Sequence, residues 1–86
     1  MLTANRKQEL QRKAAILKRH EVYAYQAAYY LLEDESLASE AAAKALMVLS
    51  QDDLFFAQPE PLQQKAAKLA VMKQALATKA AVLQPS

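Results

Sequence analysis

Eighty-six residues with eleven basic and nine acidic side chains, a net charge of +2, bound the chain to a single domain. It has neither Gly nor Cys, which removes Walker or Rossmann phosphate loops, EF-hand loops, disulfides, thiolate nucleophiles and thiolate metal sites. Alanine fills about a fifth of the positions while Val, Ile and Thr are scarce; the residues that dominate lose least on entering a helix, so the class is all-α.

The pattern predicts a three-helix antiparallel bundle, or four helices if the first bends near His20. The first helix is expected from Asn5, an acceptable N-cap, to Leu32. At 100° per residue Ile16, Tyr23, Ala27, Tyr30 and Leu31 fall on one arc, with Leu17 and Ala24 at its edge. Its first half is charged and thinly apolar; "VYAYQAAYYLL" is the better core segment. His20 is expected at the surface or at a boundary.

"EDES" then punctuates the chain, with Asp34 placed to cap the next helix and Glu35 at the positive end of its dipole. The second helix is expected over 35–50. One half of its wheel carries Leu37, Ala38, Ala41, Ala42, Ala45, Leu46, Val48 and Leu49; the other carries Ser36, Ser39, Glu40, Ala43, Lys44, Met47 and Ser50. Glu40 and Lys44 form a favourable i,i+4 pair, and Met47 on the polar side is a contact point or a gap cover.

"SQDDLFFAQPEP" is expected as the main loop, with Phe55 and Phe56 plugging one end of the bundle. Asp52 and Asp53 stand in a helix-ending stretch, where capping accounts for them better than acid–base chemistry. The third helix, over 61–82, has Pro61 in its first turn, where a missing N–H is harmless. Leu62, Leu69, Met72, Leu76, Ala80 and Leu83 form one stripe, and Ala66, Ala67, Ala70, Ala77 and Ala81 lie opposite. Lysines interrupt the leucine stripe, with stems able to cover apolar neighbours. The whole reads as one domain over 1–86, with a basic N-terminal extension over 1–19 and a bundle core over 20–83.

The charge is segregated. Residues 1–20 hold six bases against Glu9 alone, residues 21–60 eight acids against Lys44 alone, and residues 61–86 four lysines with no acid. Such a pattern fits basic ends screening an acidic middle, or a basic surface for phosphate or an acidic protein. A chain this short buries only about 60% of its unfolded surface, so association with a copy or a partner is expected to add to its core. The longest apolar run is too short for a bilayer, which needs about 20 residues, and the lack of Cys fits a reducing, cytoplasmic setting. One His and no catalytic motif leave no expected enzyme, cofactor or metal.

The stretch "YAYQAAYYLLEDESLASEAAAKALMVL" resembles the second conserved region of bacterial sigma factors, especially the extracytoplasmic-function kind. Leu31 and Leu32 match the family's helix end, Asp34 its acidic turn, and Ala38 to Glu40 its "A-E-D" step. Ala45, Leu46 and Met47 stand where "A-F-L" is expected, and Phe55, Phe56 and residues 61–82 occupy the places of the next loop and helix. The resemblance covers residues 20–80 by layout and 29–49 by residue. It implies a non-enzymatic helical domain acting by protein–protein contact in bacterial transcription or its regulation. RNA polymerase or a transcription regulator would be the partner, and Glu40, Lys44 and Met47 the contact residues. Lys44 departs from the acid usual in the family, and Ala43 from a polar residue. The last helix lacks the family's aromatics, so Lys65, Lys68, Lys73 and Lys79 would give weak DNA contact at most. The family's second DNA-reading domain is not expected within these 86 residues. A small structural or adaptor bundle, self-associating as a homodimer through alanine faces, is the alternative. DNA binding through the basic first helix is a third reading, testable by its salt dependence.

Overall fold

A computed structural model of the chain describes the backbone of residues 2–83 and the side chains of residues 6–83. Four helices make up the fold: α1 (Leu2–Leu32), α2 (Glu35–Ser50), α3 (Asp53–Ala57) and α4 (Glu60–Leu83). Among the described residues there is no strand, and no helix is long and apolar enough to cross a membrane.

Each boundary has a local cause. α1 is already helical at Leu2, so Asn5 lies inside its first turns and does not cap it. The helix ends at Glu33, whose φ of 54° is left-handed and whose N–H donates to the Tyr29 carbonyl at 2.7 Å. That conformation is usually left to glycine, and this chain has none. The Asp34 carboxylate then caps α2, accepting from the Leu37 N–H at 2.9 Å. Pro59 offers its carbonyl to the N–H groups of Leu62 and Gln63, both at 3.0 Å, so α4 starts with Pro61 in its first turn.

The expected division of the first helix near His20 does not occur: α1 runs through that position as one helix. The fourth helix is instead α3, within the stretch expected as a loop. Asp52 caps it by accepting from the Leu54 N–H at 3.0 Å. Five residues are too few for a periodic signal, and only the cap and the apolar pair announce it.

The three long helices pack against one another in an up-down-up order. Ile16 of α1, Leu49 of α2 and Ala67 of α4 meet at one end with Phe55 and Phe56, while Leu32, Leu37 and Val82 line an open cavity at the other. Between these ends the core is Ala24, Ala28, Ala38, Ala41, Ala42, Ala45 and Val71. Side chains this small let helix backbones approach closely, which replaces burial of large side chains by contact along the helix surfaces themselves. Phe55 and Phe56, in edge-to-face contact at 5.1 Å between ring centroids, close the first end. The plug expected from their sequence is therefore present.

Two facial assignments need correction. On α1 the buried row is Ile16, His20, Ala24 and Ala28, at i,i+4 spacing, whereas Tyr30 of the expected arc is 82% exposed. A tyrosine would hold the backbones apart and would need a buried hydroxyl partner; histidine and alanine at those positions allow the close approach. His20 is thus a core residue, packed edge-on to Phe55 at 5.8 Å, and its Nε2 meets no hydrogen-bond partner among the described residues. On α2, Val48 is exposed rather than internal, because the buried row is the alanine one.

The basic start of α1 extends past the bundle and is tied down through α3. Arg12 donates to the Phe56 carbonyl at 3.4 Å, and Lys13 pairs with Asp53 at 3.1 Å while lying 5.2 Å above the Phe56 ring. Arg12 also grips Glu9 at 2.7 Å; that hydrogen bond holds the Glu9 carboxyl below the usual carboxylate range.

Candidate docking surfaces

The α2 residues expected at a partner contact share one strip. Glu40 and Lys44 form an ion pair at 3.1 Å, half exposed on both sides, and Met47 follows one turn on, 62% exposed. The strip exists because alanines draw the opposite side of α2 into the core and leave these longer side chains in water. Glu40 and Lys44 also line a cleft of ≈ 340 Å³ with Leu37 and, from α4, Gln74, Ala77 and Val82. An ion pair this exposed contributes a few tenths of a kcal/mol to the helix. Its broader effect is to present both signs of charge beside an exposed thioether.

α4 carries the other expected residues. Lys65, Lys68, Lys73 and Lys79 are all exposed, and none forms an ion pair among the described residues. The helix buries Gln63, Ala67, Val71 and Ala75. Its leucines therefore face outward: Leu62, Leu69, Leu76 and Leu83 are 49%, 60%, 58% and 71% exposed. The lysines lie within and beside that outward apolar stripe and do not form a separate basic patch. Sequence pattern exposed both apolar sides of α4; the alanine-rich one became the core because α1 and α2 meet it with alanines of their own.

A surface the sequence reading did not single out lies between α1 and α4. Tyr23, Ala27, Tyr30 and Leu31 line one wall of an open furrow of ≈ 370 Å³, and Lys68 and Met72 line the other. The signal for it was the tyrosine arc on α1, which gathers apolar surface at helical spacing but does not enter the core. The second tyrosine pair, Tyr25 and Tyr29, stacks at 6.1 Å on the side of α1 nearer α2. A wider cavity of ≈ 710 Å³ opens at the turn end, among Tyr29, Leu32, Leu37, Lys79 and Leu83.

Most of the carboxylates are engaged in structural roles. Asp34 and Asp52 cap helices, Asp53 pairs with Lys13, and Glu60 lies 3.6 Å from Arg19. Among the described residues no three His, Asp or Glu side chains gather as metal ligands would. No family model, no curated protein and no solved structure matches the chain.

Proposed function

We propose that this chain is a non-catalytic helical docking domain of the sigma-region-2 kind, acting in bacterial transcription or its regulation by protein–protein contact. The observation that carries the docking reading is the α2 strip of Glu40, Lys44 and Met47, held outward by a helix whose other side is locked in the core. The link to transcription draws on residues 29–49 and their resemblance to the sigma region. The order of elements supports it: an aromatic-bearing helix, an Asp34-capped turn, a second helix, an aromatic pair and a last helix. RNA polymerase or a regulator of transcription is the partner. Promoter melting is not part of the proposal, since α4 has no aromatic residue. DNA contact through Lys65, Lys68, Lys73 and Lys79 would be weak and salt-sensitive.

The test is binding to purified bacterial RNA polymerase core enzyme. Association is expected to fall about tenfold on combining Glu40→Lys with Met47→Asp, both at exposed positions. No association with core polymerase or with a sigma-regulating protein overturns the transcriptional reading. The competing reading, a self-associating adaptor, rests on alanine faces. The alanines of the buried rows are spent inside one chain, so a dimer would need another surface. Sedimentation showing a concentration-dependent dimer would favour that reading.

A further inference from the structure

We infer that the outward face of α4, with the furrow beside it, is a docking site for an acidic amphipathic helix of another protein. It is separate from the α2 strip.

Three observations on this face point the same way. First, Leu62, Leu69, Leu76 and Leu83 recur every seventh residue on the side of α4 turned away from its buried row of Gln63, Ala67, Val71 and Ala75. A seven-residue repeat stays in line only along a second helix winding about the first, the register of a coiled-coil seam. Bundle packing does not explain the repeat, because the bundle uses the other side of α4. Second, the face is not flat. Met72 and Lys68 descend from the leucine stripe into the furrow walled by Tyr23, Ala27, Tyr30 and Leu31, which gives a concave, largely apolar receptor for side chains of a helix lying along α4. An exposed apolar stripe beside a furrow, even with lysines set into it, marks an interaction site.

Third, the charge selects the occupant. Lys65, Lys68, Lys73 and Lys79 border the leucines, α4 has no acid beyond Glu60, and none of the four lysines is ion-paired among the described residues. A second copy docking α4 against α4 would bring lysines from both chains together with no carboxylate between them, a like-charge arrangement that disfavours pairing. Nor does the chain offer a helical row of free acids elsewhere. Glu9, Glu40, Asp53 and Glu60 are in ion pairs, and Asp34 and Asp52 are in caps; of the remaining three, Glu33 and Glu35 flank Asp34 at the α1–α2 turn and Glu21 stands apart on α1. The occupant that matches both stripe and border is therefore a partner helix bearing apolar residues at heptad spacing and carboxylates beside them. An anionic lipid surface would satisfy the lysines, but it has no use for a seven-residue register or a concave furrow.

The probe is a synthetic heptad peptide with leucine at its a and d positions and glutamate at e and g, whose own glutamates keep it from pairing with itself at neutral pH. A control carries lysine in place of glutamate. The full chain should bind the glutamate peptide and gain helical circular dichroism on mixing, should lose affinity as salt rises, and should ignore the control. Leu69→Ser with Leu76→Ser should weaken binding at least about tenfold. Lys68→Glu with Lys79→Glu should weaken the glutamate peptide and admit the lysine one. Met47→Asp should change nothing, which separates this face from the α2 strip. Should the serine pair fail to fold, the charge-reversal pair carries the test. Equal binding of both peptides overturns the inference, as does binding indifferent to these substitutions. So does capture by phosphatidylglycerol vesicles without peptide binding, or a dimer that the serine pair dissolves.

Discussion

Replacing His20 by leucine should raise stability by about 1–2 kcal/mol, because the buried imidazole Nε2 has no partner among the described residues and a leucine brings no polar atom to desolvate. The urea midpoint would rise with the slope unchanged. Glu33 is the opposite kind of local cost, a backbone held at φ 54° by a residue with a Cβ. Glu33→Gly should add about 0.5–1 kcal/mol, the relief of left-handed strain less the extra chain entropy of glycine. Asp34→Ala should cost about 1 kcal/mol by stripping the Leu37 N–H of its acceptor. At Glu9 the depressed carboxyl contributes above the ordinary carboxylate range, and its contribution is lost as pH falls through the lowered value. Arg12→Gln should return the Glu9 titration, followed by NMR, toward the ordinary value.

At the scale of the helices, size matters more than apolarity. Ala41 and Ala45 are fully buried, so Ala41→Leu should destabilise by about 1–3 kcal/mol or more through overpacking. Leu69→Ser, a far less conservative change on paper, should move the thermal midpoint little, since the leucine is already in water. This contrast also explains what could be read in advance. The α1–α2 turn, the span 35–50 and the alanine row of α2 were legible because Asp34 and the alanine spacing are local signals, while Val48 was misplaced. The face of α1 was not. Hydrophobic weight favoured its tyrosines, whereas the neighbours' alanines, contributed by distant parts of the chain, favoured His20, Ala24 and Ala28. α4 had two apolar sides, and nothing within its own sequence decided which would face α1 and α2. The Glu40–Met47 strip was legible only as exposed positions, because the contact proposed for it depends on chemistry outside this chain.

Across the molecule, which spans 54 × 26 × 19 Å, the large buried side chains are concentrated at one end. Phe55 is 1% exposed and packs with His20, Phe56 and Ile16. Phe55→Ala should cost about 3–5 kcal/mol, a large share of what so small a domain has to lose. Loss of the cooperative unfolding transition in circular dichroism would be the readout.

The two ends of the bundle consequently differ as a buckle differs from a strap. An edge-to-face aromatic pair, a lysine over a ring and an ion pair clasp the Phe55–Phe56 end, whereas at the other end α4 runs out past Val82 beside an open cavity. Thermal breathing should therefore travel as a zipper from the last turns of α4 inward. Amide exchange should slow steadily from Val82 toward Ala67, and a force applied at the chain's two ends should peel α4 before it disturbs the clasp.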